Sequence, residues 1–142
     1  MDIEKVERYI EKVELFHGLT PEEVVKIFSK GMTMKCAKGE TLFFKGTVGS
    51  QMYVVLGGKI GILEGQQCIA TMTTGDMFGE MALVNKEPRS ATAVALEDSH
   101  LFLLSESTFE YLMNKRVAIR ILLNIIHSLS NRLKMTNAKL MH

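Results

Sequence analysis

Apolar and polar positions along the chain fall into three textures. At the start, Ile3, Val6, Ile10 and Val13 recur at helical spacing among charges, which predicts an amphipathic helix ended by His17-Gly18. Thr20-Pro21-Glu22-Glu23 then supplies an N-cap, a proline at the first helical position and a capping-box glutamate. Val24, Val25, Ile27 and Phe28 follow, predicting a second short helix that stops at Gly31. From there to about residue 104 the pattern changes to strand-length apolar runs: MTMKC, TLFFK, MYVVL, KIGIL, CIATM, ATAVAL and HLFLL. Gly39, Gly46, Gly49, Gly57, Gly58, Gly65 and Gly75 punctuate them, most as turns with positive φ. Short runs with frequent turns predict an antiparallel sandwich or roll, so the fold class is mainly β with flanking helices.

The third texture is helical again. Ser105 can cap a short helix carrying Phe109, Leu112 and Met113, and a longer one runs from about Val117 to the end without Gly or Pro. In it Ile126, Leu133 and Leu140 repeat every seven residues, as do Leu122, Leu129 and Thr136, and the two series interleave as in a coiled-coil seam. One reading packs this stripe on the protein's own barrel, since Ile119, Ile121, Leu123 and Ile125 make the first turns apolar nearly all round. The other pairs it with a second copy. Both hold if the first half docks in cis and the second pairs in trans, giving a homodimer through residues 117–142. Thr136, the polar member of the seam, then fixes register or meets a ligand.

A length of 142 residues fits one domain, divided into helices 1–30, a roll 31–104 and helices 105–142. Apolar residues at 46% against 23% charged residues describe a folded globule, and a net charge of +1 offers no broad field for a polyanion. Lys59, Lys86, Arg116, Arg120 and Arg132 are interspersed with acidic residues and read as solvated charge, so no nucleic-acid contact is expected. Cys36 and Cys68 lack metal spacing and are expected as buried thiols in a reducing cytosol. A charged N-terminus and the lack of an ~18-residue apolar stretch argue for a cytoplasmic protein without a membrane span. Enzyme readings find little support. His17, His100, His127 and His142 show no HxH spacing for a cupin-type metal site, two distant cysteines cannot hold an iron–sulfur cluster, and GxSxG, HExxH and GxxxxGK[ST] do not occur.

The chemistry concentrates in residues 75–95, GDMFGEMALVNKEPRSATAVA. A one-turn helix at Glu80-Met81-Ala82-Leu83 contributes little packing but presents free N–H groups, and Gly79 lets an anion approach them. Arg89 follows Pro88 at the start of an apolar strand, with its guanidinium expected to face the same turn. Two readings stay open here. Glu80 and Arg89 form an ion pair bridging turn and strand, or Arg89 and the helix N-terminus hold a phosphate while Glu80 accepts from a sugar hydroxyl. Three or four charge-assisted hydrogen bonds at roughly 1.5–3 kcal/mol each would support micromolar binding.

The run F-G-E-M-A-L followed by P-R-S-A-T resembles the phosphate-binding cassette of cyclic nucleotide-binding domains, here spanning residues 78–91. Gly39, Leu42, Phe43, Gly46, Met52, Tyr53, Val55, Gly58 and Ile60 also fall where that family's β-roll signature expects them. The resemblance implies a double-stranded β-helix of the jelly-roll kind. It implies that Gly79 and Glu80 meet the ribose 2′-hydroxyl, that the backbone of Met81 and Ala82 faces the cyclic phosphate, and that Arg89 neutralises it. Ser90 would contact phosphate and, in members that prefer cGMP, the guanine amino group; Ala91 completes the set. Arg132-Leu133-Lys134-Met135-Thr136-Asn137 resembles the last helix of the catabolite-activator group. That likeness implies that Thr136 bonds the adenine amino group, that Asn137, where the group has serine, reaches the partner's base, and that Arg132 closes over the ligand.

The implied function is a regulatory sensor, not an enzyme. Its ligand is cAMP, with cGMP or a cyclic dinucleotide as alternatives, and occupancy passes through the last helix and the dimer to an unidentified protein. The chain is then either the effector part of a longer catabolite-activator-type transcriptional regulator or a free-standing sensor.

Overall fold

A computed structural model of the chain describes residues 3–84, 86–112 and 115–140. Met113 and His142, both named above, lie outside the described residues. Helix α1 (Ile3–Lys12), a 3-10 turn (Glu14–Phe16) and helix α2 (Pro21–Lys30) precede eight strands. These are β1 (Met32–Cys36), β2 (Thr41–Phe43), β3 (Gln51–Gly57), β4 (Ile60–Glu64), β5 (Gln67–Met72), β6 (Met77–Phe78), β7 (Thr92–Ala95) and β8 (Ser99–Ser105). Helix α3 (Met81–Val84) is inserted between β6 and β7, and α4 (Glu106–Leu112) and α5 (Lys115–Leu140) close the chain.

The strands form two four-stranded antiparallel sheets, ordered β1-β8-β3-β6 and β2-β7-β4-β5. This is the β-roll the sequence predicts. Period-two alternation divides β3 between two cores: Met52 and Val54 face the helices, while Tyr53 and Val55 face the inside of the roll. The helical core joins Phe102 and Leu104 of β8 to Val6, Leu15, Phe16, Val24 and Ile27. The inner core joins Leu101 and Leu103 to Ile60, Phe78, Ala93 and Ala95. Glycines 39, 46, 58, 65 and 75 turn the chain with positive φ as expected.

The capping box at α2 is complete: Thr20 Oγ1 accepts from the Glu23 amide at 3.2 Å and Glu23 Oε1 from the Thr20 amide at 2.9 Å. Ser105 caps α4 by accepting from the Thr108 amide. The first helix departs from expectation. It ends at Lys12, because Val13 adopts an extended conformation and the Glu14 amide donates to Gly75 O; the 3-10 turn then drives Leu15 and Phe16 fully into the core. Cys36 is buried, but Cys68 is exposed, which corrects the expectation of two buried thiols. The reason is topological, since β5 lies at the edge of its sheet.

Helix α5 docks through Val117, Ile121 and Ile125 and leaves Ile119, Leu122, Leu123, Ile126, Leu133 and Leu140 exposed. Asn124, buried on the docked face, donates to Leu15 O at 2.8 Å and His17 O at 2.9 Å. Arg116 donates to Gly18 O and pairs with Glu23 at 3.3 Å. Among the described residues no helix is long and apolar enough to cross a membrane.

Candidate functional site

The β6–α3–β7 segment and α5 enclose a cavity of about 300 Å³. Gly79, Glu80, Met81, Ala82, Arg89, Ser90, Ala91 and Arg132 all line it, so eight of the ten residues singled out from the sequence converge on one place. Thr136 and Asn137 do not line it. They lie exposed on α5 beyond Arg132, and four residues of helix carry them about 6 Å farther along its axis.

Arg89 is held from several sides. Its backbone is clasped on both sides, the amide donating to Thr47 O and the carbonyl accepting from the Gly46 amide, each at 2.8 Å. Its side chain, 8% exposed, donates from Nη2 to Gln51 O at 2.7 Å and from Nη1 to Gly79 O at 3.2 Å. The guanidinium carbon stands 4.2 Å from the centre of the Phe43 ring and 5.8 Å from that of Tyr53, and Tyr53 stacks on Phe78. Ring faces attract a cation without neutralising it. The Nε–H is buried and has no partner among the described residues. Burial pulls the guanidinium below its usual range, partly offset by Tyr53 and Glu80, and pushes the Tyr53 hydroxyl up. An arginine nonetheless stays charged at neutral pH.

Two glycines make room for this side chain. A Cβ on Gly49 would stand 2.5 Å from Arg89 Nη2, and one on Gly79, whose φ is +74°, would stand 2.7 Å from Nη1. Gly79 was legible as a backbone approach site; the role of Gly49 was not, although a glycine at that place was its only signal. Gln51, Phe43 and Tyr53 were likewise unread as the cradle of Arg89, because strand pairing alone brings them there.

Glu80 does not pair with Arg89, as one reading of the spacing had it. It is 3% exposed and Oε1 accepts from Arg132 Nη1 at 2.8 Å, while Arg132 Nη2 donates to Met77 O. The carboxylate turns away from β7 towards α5, and Arg89 is held instead by carbonyl oxygens. Helix α3 begins at Met81, with Ala82 and Leu83 donating to Gly79 O and Glu80 O, so the amides of Glu80 and Met81 precede the first intrahelical donor. Ser90 is exposed at the wall, and Phe43, Ile62 and Met72 make the opposite wall apolar. A buried guanidinium with a free N–H, early helix amides, a carboxylate in the same wall and an apolar wall together suit a small anion carrying a ring system. Among the described residues no group of three His, Cys, Asp or Glu gathers as for a metal ion.

The family model for the cyclic nucleotide-binding domain matches residues 33–116. The chain is 37% identical over 106 residues to the cyclic AMP receptor protein of Thermus thermophilus, covering 71% of this chain and 49% of that protein. It is 32% identical over 107 residues to a cAMP-dependent protein kinase regulatory subunit of Hypocrea atroviridis, covering 75% of this chain and 23% of the subunit. The crystal structure of Thermus thermophilus catabolite activator protein superimposes with a TM-score of 0.78 at 34% identity, over 89% of this chain and 61% of that one. The chain thus spans about half the length of the first relative and about a quarter of the second.

Proposed function

This chain belongs to the cyclic nucleotide-binding domain family, and from that premise we propose that residues 1–142 act as one sensor domain whose ligand is cAMP. The cyclic phosphate rests on Arg89 Nε and on the amides that open α3. The ribose 2′-hydroxyl donates to Glu80, Ser90 reaches the phosphate, and the base projects towards α5, where Arg132 closes over it. The observation that carries this reading is the buried, partnerless Nε–H of Arg89: an unmet buried donor costs roughly 1–3 kcal/mol, and a monoanion placed there relieves it. The domain carries out regulation, not catalysis, in the cytoplasm.

Occupancy passes to α5 because Arg132 belongs both to that helix and to the cavity wall. The exposed stripe Leu122, Ile126, Leu133 and Leu140 pairs with the same stripe of a second copy, and Thr136 and Asn137 meet ligand only across that dimer. The ligand shifts the dimer by no more than its differential affinity for the two arrangements. A downstream protein, or a DNA-binding domain of a longer regulator, reads the result.

cGMP is the second reading, favoured by the Ser90 hydroxyl, which is exposed at the cavity wall and free to meet a guanine amino group. Calorimetric titration with cAMP, cGMP and a cyclic dinucleotide, with sedimentation of the free and loaded protein, tests all of this. Micromolar binding of a cyclic mononucleotide is expected, and binding of none of the three overturns the proposal.

A further inference from the structure

Among the described residues the cavity wall holds four charged side chains: Glu80, Glu87, Arg89 and Arg132. Glu80 and Arg132 neutralise each other at 2.8 Å. That leaves one cation, Arg89, and one carboxylate, Glu87, which makes no hydrogen bond or ion pair among the described residues. Its neighbour Lys86 does not compensate it, because Lys86 Nζ is committed to Glu106 at 3.1 Å. Arg89 and Glu87 are separated only by Pro88, yet they form no pair, since the guanidinium is turned inward to Gly79 O and Gln51 O. Arg89 is therefore the one counter-ion left for a ligand anion, and any charge beyond the first meets Glu87 with no cation to offset it.

Resting on the proposed nucleotide site, we infer that Glu87 is a specificity-determining residue that rejects dianionic nucleotides by charge. A cyclic phosphodiester carries one negative charge. Hydrolysis adds water across its P–O3′ bond, the 3′ oxygen takes a proton, and the product is a 5′-monophosphate whose second ionisation lies near pH 6, so it is a dianion at neutral pH. Glu87 thus keeps the spent form of the signal from occupying the site. The carboxylate is exposed, so solvent screens it, and the added repulsion on one extra charge amounts to about fivefold in affinity.

Three adenosine ligands separate charge from ring closure: cAMP, 5′-AMP, and the 5′-AMP methyl ester, which is linear but singly charged. Their dissociation constants are measured with wild type and with Glu87→Gln, an exposed substitution that leaves the fold untouched. The expected result is that Glu87→Gln strengthens 5′-AMP about fivefold more than it strengthens either monoanion. Equal changes for all three ligands, or none, overturn the inference while leaving cAMP binding in place. If wild type binds cAMP no better than 5′-AMP and both only at millimolar concentration, the nucleotide site itself is wrong.

Discussion

Arg132 of the last helix and Glu80 of the cassette meet at 2.8 Å although 52 residues separate them in sequence. The carboxylate is almost wholly buried and the guanidinium about one-third exposed, so the pair is a half-sheltered tie between helix and roll. Removing one partner of such a pair strands the other, and the loss exceeds what the pair itself contributes.

Arg132→Ala should therefore destabilise the fold by about 1–2 kcal/mol, less than for a fully buried pair because water reaches one side. In a double-mutant cycle with Glu80→Gln the second substitution should add little. Thermal denaturation of the four proteins checks the coupling, and amide exchange should show faster opening at the C-terminal end of α5.

Arg89→Leu is expected to separate stability from binding. The leucine forfeits two hydrogen bonds to carbonyl oxygens but also removes a buried cation, so the melting temperature should stay within a few degrees of wild type. Cyclic-nucleotide affinity should fall at least 100-fold, which calorimetry would register as no heat. Arg89→Lys keeps the charge but loses the planar fork, and should fall between.

Gly49→Ala tests the space that Arg89 occupies. Since Gly49 does not have positive φ, the methyl adds no backbone penalty; its cost is the 2.5 Å approach to Nη2. Affinity should drop about tenfold with the fold intact. Gly79→Ala adds left-handed strain of roughly 1 kcal/mol or more and should lower the melting temperature as well.

Acid should weaken the N-terminal helices through Glu23. Burial raises its pKa, but the hydrogen bond from the Thr20 amide and the interactions with Arg116 outweigh that and leave it lowered. A depressed carboxylate contributes stability above its unfolded pKa and loses it as pH falls through the folded value. Glu23→Gln should thus cost about 1 kcal/mol at pH 7 and nothing once wild-type Glu23 is itself protonated, as melting curves from pH 7 to 3 would reveal.

Local patterns were readable because local forces set them. The Thr20–Glu23 cap, the Ser105 cap and the run of β3 obey rules spanning four to seven residues. Met77–Phe78 was too short to register as a strand, since two residues carry no alternation. The partner of Glu80 was not legible for a different reason: nearness in sequence offered only Arg89, whereas closure of the roll turned that arginine towards Gln51 O and brought α5 across to the carboxylate. Likewise α1 kept its helical spacing as far as Val13, and only the tertiary bond from Glu14 to Gly75 ended it early.

Asn124 sets a boundary on how this molecule can move. Its single amide nitrogen spans the carbonyls of Leu15 and His17, and sliding α5 by even one residue would leave the buried Leu15 oxygen unmet. The anchored half of that rod can only travel with the opening hairpin of helices as one rigid piece. Bending is left to the free end, beyond Arg132, where a message sent from the roll would have to leave.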